Sequence, residues 1–159
     1  MNRLLLLSSL LIWLVRPLHA QTLDQDKGMF GYTLGSEASE FKDLLPDGKK
    51  EKLQRKRPVV DSLKHEGIPA QKVRVYFFEG KLHSIDVKLQ GDHADRMLAW
   101  VKGQYGEGIP EDAMGFKFRW EGKDVTLFWD QNLVTHDAMM TWRSEPVHKQ
   151  YFKLMQSLY

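Results

Sequence analysis

The sequence predicts an α+β domain: an antiparallel sheet of about five to six strands, organised as two hairpins, with helices packed on one face. Three observations predict it. Val73, Val75 and Phe77 alternate with polar or amphipathic residues, and His83, Ile85, Val87 and Leu89 repeat the pattern beyond Glu79-Gly80. Phe118 and Trp120, then Val125, Leu127 and Trp129, do the same around Glu121-Gly122. Between the two hairpins Ala94, Met97, Leu98, Val101 and Tyr105 fall on one helical face.

In chain order, residues 1–20 read as a secretory signal peptide. Arg3 is the positive start, Leu4 to Val15 is an uncharged apolar run, and Leu18-His19-Ala20 ends on a small residue before Gln21. Twelve residues rise about 18 Å as a helix, short of a ~30 Å hydrocarbon core, so a retained span is disfavoured. Residues 21–28 are polar and expected to be a flexible N-terminal segment, and 29–159 to form the single α+β domain. Phe30, Tyr32 and Leu34 suggest a short strand. Ser36 then caps a predicted helix whose Ala38, Phe41, Leu44 and Leu45 share a face, and Pro46-Asp47-Gly48 stops it. Lys49 to Pro58 has no useful periodicity and reads as a loop or edge segment.

Parity sets the expected turns. A three-residue loop, Phe78-Glu79-Gly80, pairs Val73 with Ile85 and Val75 with His83 and gathers the apolar side chains on one face. In the second hairpin a two-residue loop, Glu121-Gly122, pairs Phe118 with Val125. Asp92, with Asp95 three residues on, resembles a capping box opening the central helix, and Gly106 closes it. Ala138 to Arg143 is a further strand. Ser144 caps a terminal helix with Val147, Tyr151, Leu154, Met155 and Leu158 on one face.

The 159 residues carry 23 Lys+Arg, 21 Asp+Glu and no cysteine. Zero cysteines excludes a disulfide scaffold, a thiol nucleophile and a thiolate zinc site. Loss of Arg3 and Arg16 with the leader leaves 21 basic against 21 acidic residues, so a general nucleic-acid surface is not expected. Export without cysteine fits a bacterial periplasm, with cleavage expected between Ala20 and Gln21.

No P-loop, dinucleotide fingerprint or paired-carboxylate signature is present, so no cofactor, catalytic residue or metal ligand is assigned. His83, Ser84 and Asp86 resemble triad residues, yet on a regular strand His83 faces away from the other two. Asp92, His93, Asp95, His136 and Asp137 lack metal-site spacing, and helix capping accounts for the first two aspartates. Two surfaces remain as candidates. Lys49, Lys50, Lys52, Arg55, Lys56 and Arg57 place six positive charges in nine residues, a basic patch suited to an acidic partner or to a solvated loop. Arg74, Tyr76, Lys117, Arg119 and Phe128 mix cations with rings on the second face of the hairpins, a composition frequent at protein interfaces. The expectation is a non-catalytic binding protein acting on another protein of the cell envelope, such as an inhibitor, an immunity-type protein or an assembly accessory. The alternative is a small-ligand or lipid carrier with a pocket between sheet and helices, lined by residues such as Phe77, Met97 and Trp129.

Overall fold

The computed structural model describes residues 19–158 apart from 51 and 61. The expected leader falls outside the described residues except for His19 and Ala20, which open helix α1 (His19–Asp26). Two-residue strands β1 (Gly28–Met29) and β2 (Tyr32–Thr33) follow, then a 3-10 turn (Ala38–Glu40), β3 (Leu44–Lys50), β4 (Leu53–Pro58), and the small pair β5 (Lys64–His65) and β6 (Ile68–Pro69). The long strands β7 (Lys72–Phe78) and β8 (Lys81–Leu89) lead into α2 (Asp92–Tyr105). The chain ends with β9 (Ile109–Pro110), β10 (Lys117–Glu121), β11 (Val125–Gln131), β12 (Ala138–Ser144) and α3 (Glu145–Gln156). Eight of the described strands make one antiparallel sheet in the order β3-β4-β7-β8-β12-β11-β10-β9.

The class is the expected mixture of helix and antiparallel sheet, but the sheet is larger than about five to six strands. The extra strands lie at the two ends of the sheet. β3 and β4 are charged and solvated, so they show no apolar alternation, and β9 is only two residues long. The helix expected from Ala38 to Leu45 shrinks to one 3-10 turn, and Leu44 and Leu45 enter β3. Pro46 disfavours the helical region at Leu45, and so short a helix cannot repay its nucleation. Pro46 to Lys49 instead makes a bulge in the edge strand.

One sheet face carries the main core: Val75, Phe77, Ile85, Val87, Leu127, Trp129, Met140 and Trp142 are all buried there with α2 residues Ala94, Met97 and Val101. Residues 21–28, expected as a flexible polar stretch, include a turn and a half of α1, from which Leu23 is 1% exposed in this core. The capping box expected at Asp92 is absent. Gly91 takes the N-cap with φ +50, and Asp92 and Asp95 sit in the first turn, where their charge favours the helix dipole.

Helices do not pack on one face only. α3 lies on the opposite face, where Val147, Tyr151 and Leu154 meet Leu53, Tyr76 and Phe78. Its N-terminus is capped by Ser144, whose hydroxyl accepts from the Val147 amide at 3.5 Å. The signal for a second covered face is in the sequence: Tyr76, Phe77 and Phe78 are consecutive, and a strand wet on one side would alternate instead.

Both hairpin registers differ from expectation. β7 and β8 turn through two residues, Glu79 (φ +47) and Gly80 (φ +83), the left-handed pair that matches strand twist. Phe78 pairs with Lys81 and Phe77 with Leu82, then Tyr76 pairs with Ser84, so His83 is an extra residue. The bulge restores the parity that the longer loop was invoked to supply. Val73 therefore faces Val87 and Val75 faces Ile85. In the second hairpin Phe118 pairs with Trp129, four positions from the expected Val125, and the chain turns at Lys123-Asp124.

The end of α2 clamps Trp120. The indole Nε1–H donates to the Gly106 carbonyl at 2.7 Å, and Gly108 (φ +76) lies so close to the ring that a Cβ would sit 2.6 Å from it. Gly108→Ala combines a left-handed backbone with a collision against a ring only 4% exposed. It is expected to lower the unfolding free energy by about 2 kcal/mol in denaturant titration.

Candidate functional site

α3 covers only part of the outer sheet face, and the remainder carries most of the cation and ring residues foreseen there. Arg119, Phe128, Thr141, Asp86 and Arg74 form one cross-strand row over five strands. The two arginines are thus about 19 Å apart at ordinary strand spacing. Lys117 belongs to the next row, opposite Asp130. Tyr76 does not join this open surface: it is 6% exposed in the cluster under α3, because the helix needs an apolar seat there.

The three cations foreseen on this face have anionic neighbours. Lys117 Nζ is 3.0 Å from Asp130, and Arg119 reaches Glu111 at 3.2 Å and Glu121 at 2.7 Å. Arg74 Nε donates to Asp47 at 3.1 Å, and the same carboxylate holds Arg55 at 3.0 Å. Thr141 donates to Asp86 at 2.9 Å. Arg143 lies 4.6 Å above the Phe128 ring and binds Glu145 at 2.8 Å. The face is a mosaic of paired charges with Phe128 and Thr141 between them.

At one end this mosaic opens into a groove of about 500 Å³ between the loops 111–116 and 132–137, with Lys88, Lys117, Asp130 and Met139 among its walls. Its apolar rim was not singled out from the sequence. Val134 is 88% exposed, Met114 72% and Leu133 48%. Both loops are held by side-chain turns. Asn132 Oδ1 accepts from the amides of Val134 (2.8 Å) and Thr135 (3.0 Å), and Asp112 Oδ1 from those of Gly115 (2.7 Å) and Phe116 (3.0 Å). The readable signal was a pair of Asx-turn motifs, Asp112-Ala113-Met114-Gly115 and Asn132-Leu133-Val134-Thr135, each carrying apolar residues outside any periodic run.

The basic run is spread along an edge hairpin. Arg55 is paired with Asp47, Lys56 lies 5.1 Å from the Phe77 ring, and Lys49 and Lys52 are exposed. Charge on an outermost strand pair also hinders edge-to-edge association. Among the former metal-site candidates, Asp95 accepts from Gln131 at 2.8 Å and Asp137 lies 3.8 Å from Lys88. No group of three His, Cys, Asp or Glu gathers around a metal-sized site among the described residues.

His83 departs most from the sequence reading. The bulge turns it to the side of Ser84, so its Nδ1 lies 3.1 Å from Ser84 Oγ, and its Nε2 lies 3.1 Å from Nδ1 of His148 on α3. The order serine–imidazole–imidazole has the connectivity of a nucleophile, a base and an orienting group. Both His83 and Ser84 are 6% exposed beneath α3. Burial first, then the neighbouring His148 and Arg143, hold the His83 pKa down at about 4, which makes it a weak base at neutral pH. The cluster is a buried polar seam. Phe77, Met97 and Trp129, named as the walls of a carrier pocket, are 0–1% exposed in the continuous core, and four surface concavities among the described residues are bordered by other side chains.

Fold and surface together define an α+β protein with an antiparallel sheet covered on one face and partly open on the other. No protein-family model, curated protein or solved structure matches the chain.

Proposed function

We propose that the chain is an exported, non-catalytic protein that binds another protein in the cell envelope, as an inhibitor, an immunity-type protein or an assembly accessory. The observation that carries this reading is the pair of exposed apolar loop tips at the end of the open sheet face. Clustered apolar side chains left in water mark interaction surfaces, and the backbone that carries Met114 and Val134 is already held by defined turns, which lowers the ordering cost of binding. Phe128, Lys117 and Arg119 continue the surface with the ring and cation chemistry that favours protein partners. The leader-like run Leu4 to Val15 supports export, and the lack of cysteine suits a periplasm.

The test is comparative capture from native envelope extract. Wild-type protein is expected to retain one stoichiometric protein, and the variant Met114→Asp with Val134→Asp to lose it while its thermal midpoint stays within about 2 °C, since both positions are exposed. Equal retention by both proteins, or retention of no protein by either, overturns the reading.

A further inference from the structure

A second concavity lies in the layer on the core side of the sheet, bordered by the end of α1, the β1–β2 and β5–β6 turns and the last turns of α2. It has a volume of about 460 Å³. Five of its lining residues carry rings, and besides Tyr32 four of them pack in a chain. Phe30 meets His65 at 6.1 Å between centroids, His65 meets Trp100 at 4.3 Å, and Trp100 meets Tyr105 at 5.9 Å. The successive interplanar angles are 81°, 75° and 88°, so each ring meets the next edge to face along the wall of the concavity.

The charged groups among its walls are two carboxylates, Asp26 and Glu66. Burial lowers the His65 pKa, and Glu66 and Asp26 only partly offset it, so the imidazole adds no positive charge at neutral pH. Tyr105 donates its hydroxyl proton to Asp26, which fixes that carboxylate against the ring wall.

Phe30 adds an independent observation. It occupies a left-handed conformation, φ +57, in the two-residue turn ahead of Gly31. Such positions favour glycine, asparagine or aspartate, and a bulky ring there is a strained choice. It is the only Phe, Tyr or Trp with positive φ among the described residues, and its ring borders the cavity. Strain of this kind concentrates where a side chain is held for binding.

We propose that this box of Phe30, His65, Trp100 and Tyr105, with Asp26 and Glu66, binds an organic ammonium group, either free or borne on a peptide side chain. Ring faces attract a cation through their quadrupole, and quaternary or alkylated ammonium groups suit such a box because their hydration is weak. The two carboxylates supply the complementary charge. This site is separate from the groove at Met114 and Val134, so its failure would leave that reading untouched.

Titration calorimetry of the whole protein tests it with three probes: choline, N-acetyl-lysine methylamide, and 3,3-dimethylbutan-1-ol, the uncharged isostere of choline. At least one ammonium probe is expected to bind saturably, at least tenfold tighter than the isostere. Trp100→Ala should abolish that binding. Glu66→Gln, at an exposed turn tip, should weaken it fivefold or more with the fold intact, and decides the matter if the tryptophan variant fails to fold. Choline binding points to a free ligand, and binding of the lysine derivative alone to one carried on a chain. Absence of saturable ammonium binding, equal affinity for the isostere, or an unchanged affinity in Glu66→Gln overturns the proposal.

Discussion

Asp24→Ala is expected to destabilise the fold by about 3 kcal/mol, the effect of removing a charged acceptor from several amides at once. The Asp24 carboxylate accepts from three consecutive backbone amides at the tip of the β10–β11 hairpin: Lys123 at 2.7 Å, Asp124 at 2.8 Å and Val125 at 3.1 Å. Successive amides converging on one anion form a small nest, and Gly122 leaves room for it. A Cβ on Gly122 would collide with the carboxylate itself. Asp24→Asn keeps one acceptor oxygen but loses the charge, and about half the cost should remain. A double-mutant cycle separates the contact from general damage. Gly122→Ala should cost clearly more in the wild type than in the Asp24→Ala background, with a coupling of about 1 kcal/mol or more. Denaturant midpoints that show Asp24→Ala costing under about 1 kcal/mol would remove the anchor from the account. Leu23 and Asp24 both lie downstream of the expected cleavage after Ala20, so a processed chain would keep them.

Acidification is expected to destabilise the protein through His83, and the sign follows from linkage. The pKa of His83 is about 4 in the fold against an ordinary 6.5, so between those values the unfolded chain binds more protons. The stabilisation is complete above about pH 6.5, declines as pH falls through the window, and is gone below about 4, a total of about 3 kcal/mol. The groups around the ring come from three elements: Ser84 beside it on β8, Arg143 on β12, and Glu145, His148 and Tyr151 on α3. His148 is also lowered, first by burial and then by Arg143, and acts in the same direction. Glu145 is lowered because hydrogen bonds from Thr126 and Arg143 outweigh its burial, so its contribution is also lost in acid. Unfolding free energies at pH 7 and pH 4.5 for wild type and His83→Gln isolate the histidine. The variant should show a smaller drop between the two pH values by about 2 kcal/mol or more, and equal drops would place the pH dependence elsewhere.

These two sites show where sequence reading stops. Parity along Val73 to Phe77 and Ile85 to Leu89 was legible, and so was the need for one extra residue to reconcile it. Whether that residue belongs to the loop or to a bulge at His83 depends on which turn matches the strand twist, and the two choices give the same apolar face. The choice decides the chemistry, since only the bulge brings His83 onto the side of Ser84 and His148. The shift of the second hairpin by four residues has the same character. Faces are preserved by any even shift, so the pattern of Phe118, Trp120, Leu127 and Trp129 does not distinguish the registers. An aspartate about 100 positions away in α1 holds the turn at Lys123-Asp124.

The candidate surfaces divide similarly. The open-face positions of Arg74, Lys117, Arg119 and Phe128 follow from strand alternation. The burial of Tyr76 does not, because it depends on where α3 returns. Met114, Leu133 and Val134 sit in loops, where no period reports exposure, and the ring box of Phe30, His65, Trp100 and Tyr105 draws on three segments that local patterns treat separately.

By itself the sequence determined the antiparallel α+β class, the apolar face of α2, the inward set of both hairpins apart from His83, and the Ser144 cap, because each follows from periods and caps within a few residues. Tertiary structure alone decided the strand count, the registers, the place where α3 returns on the outer face and every cluster in which distant residues meet. The physical reason is that local rules repeat every two or 3.6 residues and so leave a shift along a strand nearly free in energy. Contacts made once, such as Asp24 on the turn at Lys123, break that degeneracy.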